Sequence, residues 1–330
     1  MTSLANMGER KIIECILDEP DEMPAMPIPF GDDVSAYPLT QGKVAVLKTD
    51  MLIGKTDVPP KMNLWQAARK AVVMNVSDFA AKGVQPLAVL VSLGLHTTLS
   101  KHDVEEIARG LNAGAREYGA YVLGGDTGES SDLVINVSLF GTGEKNALML
   151  RSGAKPGDIV AVTGPFGKTP AGLKILKDKA KTSAVLRKTL VESVLMPHAR
   201  LAEGLALTES KTVSASIDSS DGLAWSLQAI AKASGTGFVL DRLPVAGEAE
   251  EFARINRLSS LDLVLYGGEE YELVLTITPG SLRKAQAAVA KVGGCLVPIG
   301  KATREKGVFY LSGGERFEIE PKGYEHFRNS

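Results

Sequence analysis

The chain has 330 residues, 44% hydrophobic and 23% charged, a balance that supports a globular fold with room for two cores. Lysine and arginine number 37 against 39 acids, a formal charge of −2, which leaves no basic footprint for nucleic acid. The longest nearly apolar run, Pro86–Leu95, is ten residues, too short to cross a bilayer, and the distant pair Cys15 and Cys295 excludes a thiolate metal site and argues against a disulfide framework.

From the N-terminus, Met1–Glu14 carries Glu9, Arg10 and Lys11 and no apolar signal core, so a cytoplasmic location is expected. Cys15, within Ile12-Ile13-Glu14-Cys15-Ile16-Leu17, reads as a helix core position. Val44–Leu47 is a short strand pattern ending in Lys48-Thr49-Asp50. Asn63 offers an N-cap for a helix with Leu64, Ala68, Val72, Val76 and Phe79 on one side, and Gly83 offers its C-cap. Val89–Leu95 follows as a buried strand. Ser100 with Asp103 forms a capping-box pattern ahead of Val104, Ile107, Ala108, Leu111, Ala115 and Tyr118. Tyr121–Leu123 is a strand running into Gly124-Gly125-Asp126, and Leu133–Phe140 is another.

A boundary falls near Arg151, where Ser152-Gly153-Ala154-Lys155-Pro156-Gly157-Asp158 is rich in turn formers. Strands are expected at 159–162, 213–217 and 272–277, and helices at 171–176, 186–195, 223–233 and 282–292. Gly300 and Gly313-Gly314 bracket a last strand region. The reading is a two-domain α/β (α+β) protein, residues 1–150 and 151–330.

The chemistry lies in aspartates set beside glycine, serine or threonine: Asp32, Asp33, Asp50, Asp78, Asp126, Asp218 and Asp221. Any one of them also suits a turn or a cap, and Asp221, just before Leu223, is the obvious cap candidate. Asp78 is different. It sits three residues from Asn75 in a helix apolar on most faces, and burying a carboxylate there demands a cation or a strong donor. Converging carboxylates without histidine or cysteine select magnesium or calcium over zinc. Gly124-Gly125-Asp126, Asp221-Gly222 and Gly267-Gly268-Glu269 add backbone N–H groups beside acids, a pairing suited to a polyphosphate.

Gly164-Pro165-Phe166-Gly167-Lys168-Thr169 is not a P-loop, because Val162 stands where the Walker spacing needs glycine. No GxGxxG follows a strand. His96, His102, His198 and His326 show no ligand spacing, and no nucleophile–base order stands out. A phosphate acceptor is already largely a dianion at neutral pH, with a second pKa of about 6, and needs no base.

Together these segments resemble the thiamine-monophosphate kinases, within the wider superfamily of aminoimidazole-ribonucleotide synthetases. The resemblance runs in order through Gly31-Asp32-Asp33, Thr49-Asp50-Met51-Leu52, Asn75–Gly83, Gly124-Gly125-Asp126-Thr127 and Arg151–Asp158. It continues through Ile217–Leu223, Gly267–Leu273 and Lys322–Phe327. It implies a two-domain aminoimidazole-ribonucleotide synthetase-like subunit whose N-terminal sheet pairs across a homodimer axis. It further implies transfer of the γ-phosphoryl of ATP onto thiamine monophosphate with Mg2+. Metal ligands carry over onto Asp33, Thr49, Asp50, Asp78, Asp126, Asp218 and Asp221, ATP contacts onto Gly125, Arg151 and Ser220, and substrate contacts onto Asp57, Glu269 and Tyr324. Two positions depart from the bacterial pattern: Lys48 replaces a serine and Asp57 a histidine. The rival readings are another ATP-using branch of the superfamily and a non-catalytic nucleotide-binding homologue; the ending Arg328-Asn329-Ser330 lacks the cysteine tail of the maturation-protein branch.

Overall fold

The computed structural model describes residues 4–21 and 23–327; Met1–Ser3 and Arg328–Ser330 lie outside the described residues. The first half forms a five-stranded sheet from β1 (Ser35–Pro38), β2 (Lys43–Ile53), β3 (Pro86–Leu95), β4 (Tyr121–Glu129) and β5 (Val134–Glu144), in spatial order β1-β2-β5-β3-β4. All neighbours are antiparallel except β3 and β4.

β2 is much longer than its apolar core. It pairs with β5 without a break from Lys43↔Glu144 to Ile53↔Val134, so Lys48, Thr49 and Asp50 lie in a strand and not in a following loop. Alternation then separates their side chains: Val44, Val46 and Leu52 are buried on one face, while Leu47, Thr49 and Met51 are exposed on the other. The glycine pair at 124–125 is also in a strand. A Cβ on Gly125 would meet the Val91 carbonyl oxygen at 1.8 Å, so the close approach of β3 to β4 requires glycine there.

The helix Leu64–Lys82 lies against the inner face of this sheet. Asn63 and Gln66 form a reciprocal capping box at its start, and left-handed Gly83 closes it. It also carries four charged side chains, Arg69, Lys70, Asp78 and Lys82, that are buried. The helix Lys101–Glu117 packs beside it, begun by the Ser100–Asp103 capping box.

The second half forms a seven-stranded sheet from β6 (Ile159–Val162), β7 (Val213–Asp218), β8 (Gly237–Leu240), β9 (Leu273–Ile277), β10 (Val297–Thr303), β11 (Gly307–Ser312) and β12 (Glu315–Glu318). Their order is β12-β11-β8-β10-β6-β9-β7. Gly313-Gly314 turns β11 into β12, whereas Gly300 lies inside β10 at a register shift. The expected helices appear as Lys168–Lys177, Ala184–Leu195, Leu223–Ser234 and Leu282–Lys291. Three further helices, Leu201–Ser210, Gly247–Asn256 and Ser260–Tyr266, escaped the pattern reading.

One apolar core joins the halves. Val46, Val76, Phe79 and Ile135 belong to the same buried cluster as Leu207, Leu275 and Ile277. The Leu64–Lys82 helix packs on both the Leu201–Ser210 helix and β7, which sets its polar residues opposite the end of β7. Among the described residues no helix is long and apolar enough to cross a membrane.

Two local expectations are corrected. Cys15 is exposed and its helix, Glu9–Leu17, has no buried residue; the helix is attached through its polar first turn, with Arg10 stacked 3.0 Å from the Trp225 ring centre and Glu9 Oε2 accepting from His326 N. The Leu223–Ser234 helix is capped by Gly222, and Asp221 makes no side-chain capping bond.

Candidate active site

Three carboxylates converge where the Leu64–Lys82 helix meets the second sheet. Asp33 follows Gly31-Asp32 at the entry to the first sheet, Asp78 comes from the helix, and Asp218 ends β7. One oxygen from each lies within 4.8 Å of the others, and all three residues are buried. Their compensation is uneven.

Asp33 meets two cations. Lys82 Nζ lies 2.6 Å from Asp33 Oδ2 and 2.6 Å from Asp32 Oδ1, and it also donates to the Ser216 carbonyl. Arg151 donates through Nε and Nη2 to Asp33 Oδ1, and through Nη1 to the Gly31 carbonyl. Burial works against the Asp33 charge, but Lys82 and Arg151 outweigh it and hold its carboxyl below the usual range.

Asp78 faces Lys48. The ammonium lies 3.0 Å from Asp78 Oδ2 and 3.2 Å from Asp50 Oδ2, so Lys48 and Asp50, two apart on β2, reach the nest together. Burial opposes the Lys48 charge, yet Asp78 and Asp50 raise its pKa above the usual lysine range. Burial pushes Asp78 itself up, with Lys48 opposing and Asp218 adding to the rise.

Among the described residues the Asp218 carboxylate has a neutral donor alone, the Ser77 hydroxyl at 2.7 Å. Burial, then the charge of Asp33, pushes it up to about 6. Among the described residues five carboxylates (Asp32, Asp33, Asp50, Asp78, Asp218) face three cations (Lys48, Lys82, Arg151), so with all five ionised the nest carries two negative charges in excess. Hard oxygen donors with a deficit of two charges fit a magnesium-type ion.

A second cluster lies beyond the end of β7. The segment 219–221 pairs with 269–272 through Glu269 N to Ser220 O, Tyr271 N to Ser219 O and Ser219 N to Glu272 O. A Cβ on Gly268 would meet the Ser220 carbonyl at 2.5 Å, and both Glu269 and Tyr271 take left-handed φ values of 62° and 54°. This strained turn turns Glu269 into a pocket that it shares with Thr56, Asp57, Pro59, Leu173, Lys177 and Tyr324. Lys70 Nζ donates to Glu269 Oε1 and to the Asp57 carbonyl, while Glu269 Oε2 is buried without a hydrogen-bond partner. The Asp57 carboxylate is fixed by Ile53 N at 2.7 Å.

The remaining sequence-predicted residues stand apart from the nest. The Thr49 hydroxyl lies on the outer face of the sheet, bonded to Asn136, Ser138 and the Val137 carbonyl, so its side chain does not join Asp50 and Asp78. Asp126 and Gly125 are exposed on β4, the sheet's last strand. Asp221 lies 4.0 Å from Arg10, and partial burial, with Glu9 adding, pushes it up to about 6. Ser220 is exposed, and its carbonyl holds Glu269. The residues missed by sequence reasoning are Lys70 and Lys82. Their signal was position: Lys82 lies one turn after Asp78, and Lys70 two turns before Ser77, on faces that must be buried. In the Gly164–Thr169 segment the Gly167 N–H at the start of Lys168–Lys177 is taken by the Glu270 carboxylate.

The fold and this acid-lined seam define a class. Residues 31–144 match the model of the AIR synthase related protein N-terminal domain, and residues 155–311 match that of the C-terminal domain. The thiamine-monophosphate kinase of Nitrosopumilus maritimus is 39% identical over 298 residues, covering 90% of this chain and 93% of that protein. That of Pyrococcus horikoshii is 34% identical over 329 residues, 98% of each chain. The solved structure of AaThiL complexed with AMPPCP and TMP superposes with a TM-score of 0.85 at 28% identity, covering 99% of both chains. The chain belongs to the thiamine-monophosphate kinase family.

Proposed function

We propose that this protein transfers the γ-phosphoryl group of ATP directly to the phosphate of thiamine monophosphate, giving thiamine diphosphate and ADP. The observation that carries the reading is the uncompensated nest of Asp33, Asp78 and Asp218, joined through the 218–221 turn to the Glu269 pocket, in a chain of this family. A new bond forms between the γ-phosphorus and an acceptor oxygen as the bond to the β-phosphate oxygen breaks. The acceptor is largely a dianion at neutral pH and requires no base.

Asp33, Asp78 and Asp218 are proposed to hold magnesium in the free chain, and Asp50, Asp126 and Asp221 are assigned to ions that arrive with the nucleotide. Bound magnesium would screen the repulsion between the phosphates of donor and acceptor. Lys82 and Arg151 hold Asp33 ionised and fix its orientation. Gly125, Arg151 and Ser220 are assigned to the nucleotide. Asp57, Glu269 and Tyr324, which line one pocket, are assigned to thiamine, whose cationic ring is matched by the unpartnered Glu269 Oε2. The Thr49 side chain is left out of the metal set because its hydroxyl is committed elsewhere.

The working form is proposed to be a cytoplasmic homodimer. Tyr37, Leu47, Met51, Leu90, Tyr121 and Leu123 are large apolar side chains exposed on the first sheet, a surface suited to a second copy. The test is direct: protein, ATP, Mg2+ and thiamine monophosphate are mixed and thiamine diphosphate is assayed. Formation of ADP and thiamine diphosphate in equal amounts supports the reading, and ATP hydrolysis without thiamine diphosphate overturns it.

A further inference from the structure

We infer that the Lys48 ammonium is a resident cation of this site, standing where a divalent ion would otherwise bridge Asp50 and Asp78, so that the nucleotide-free chain holds one divalent ion and not two. The inference rests on the reading that the nest takes divalent ions, and it goes beyond that reading in fixing their number.

The geometry is that of a bridging ion. Lys48 Nζ lies 3.0 Å from Asp78 Oδ2 and 3.2 Å from Asp50 Oδ2, and its side chain is only 17% exposed. A magnesium ion shared by the same two oxygens would lie about 2.0–2.1 Å from each, in the space the ammonium and its hydrogens fill. β2 leaves Lys48 little choice of direction. Its backbone is locked by the β5 pairing, and the helix face carrying Asp78 lies directly across from it.

The charge balance leads to the same number. With all five carboxylates ionised, as a coordinated divalent ion would hold them, Lys48, Lys82 and Arg151 leave two negative charges, the complement of one divalent ion. The carboxylate that no cation touches is Asp218, which places the remaining demand on the Asp33–Asp78–Asp218 side of the nest. Without the Lys48 charge the deficit grows to three, and the oxygens of Asp50 and Asp78 become free to coordinate.

The experiment counts ions without turnover. Mn2+ is titrated into the full chain in the absence of nucleotide, and free Mn2+ is followed by its electron paramagnetic resonance signal. Wild type and Lys48→Arg, which keeps the charge, are expected to bind one ion tightly per chain. Lys48→Met, which keeps the length and loses the charge, is expected to bind two. A wild-type count other than one overturns the inference, as does a folded Lys48→Met chain that still binds one. If Lys48→Met fails to fold, the wild-type count decides alone. No ATP or thiamine monophosphate is present, so the result stands apart from whether the chain makes thiamine diphosphate.

Discussion

Lys82 Nζ lies 2.6 Å from Asp33 Oδ2, and neither side chain is open to solvent. The pair ties the end of the Leu64–Lys82 helix to the segment leading into the first sheet, and the Ser216 carbonyl on β7 accepts the third ammonium bond. Replacing Lys82 by methionine strands two carboxylates, Asp32 and Asp33, with Arg151 as their one remaining cation. Breaking a buried pair from one side typically costs about 3–5 kcal/mol. Lys82→Met is therefore expected to lower the stability of the ion-free protein by roughly 3 kcal/mol in urea titrations. The double variant Lys82→Met/Asp33→Asn should recover part of the loss, and a single variant as stable as wild type would contradict this account.

Asp78 has the opposite character. It is buried among Asp33, Asp50 and Asp218, and its charge is costly to the fold although Lys48 offsets it. Asp78→Asn removes a donor from the proposed ion site without removing a net source of stability. Turnover is expected to fall by at least about 100- to 1,000-fold, the scale for losing one preorganised electrostatic group. The melting temperature of the ion-free chain should hold steady or rise. Near-wild-type kcat would remove Asp78 from the mechanism.

These two residues mark how far the sequence could be read. The helix carrying Asp78 was legible because Asn63 and Gly83 are local signals that act on their own backbone. Asp78 itself was legible as a carboxylate in an apolar stretch. Lys82 was not, since a lysine in the last turn of a helix is ordinarily solvated, and its partners are 49 and 50 residues away along the chain. The resemblance makes Thr49 and Asp50 equivalent ligands, whereas strand alternation places them on opposite faces once β5 extends β2. The Ser260–Tyr266 helix, seven residues long, is too short to show an amphipathic period. The pocket of Asp57, Glu269 and Tyr324 joins three distant segments, and only the resemblance to a family had grouped them.

Glu270 gives a pH-dependent stability. Its partly buried carboxyl accepts from Gly167 N, yet burial, with the Glu272 charge adding, pushes it up from 4.5 to about 8. Between those values the folded state keeps a proton that the unfolded chain has released. Stability from this group is therefore present at low pH, falls as pH rises from 4.5 to 8, and levels off above. Each pKa unit is worth about 1.4 kcal/mol. Glu270→Gln is expected to flatten the slope of melting temperature over that window and to exceed wild type in stability at pH 8.5 or above. An unchanged slope would assign the pH dependence to other groups.

Glu269 tests the substrate pocket separately from the ion site. Its Oε1 is neutralised by Lys70, whereas its Oε2 is buried in the pocket wall without a partner, an arrangement that suits a ligand bringing its own positive charge. Glu269→Gln keeps the shape and the left-handed turn but removes the charge. The KM for thiamine monophosphate is expected to rise about tenfold, equivalent to about 1.4 kcal/mol of binding, with the KM for ATP unchanged. Loss of kcat with both KM values unaltered would instead place Glu269 among the groups acting on the phosphates. The comparison is informative because Lys70 stays anchored on the Asp57 carbonyl at 2.9 Å in either variant, so the pocket wall keeps its form while its charge changes.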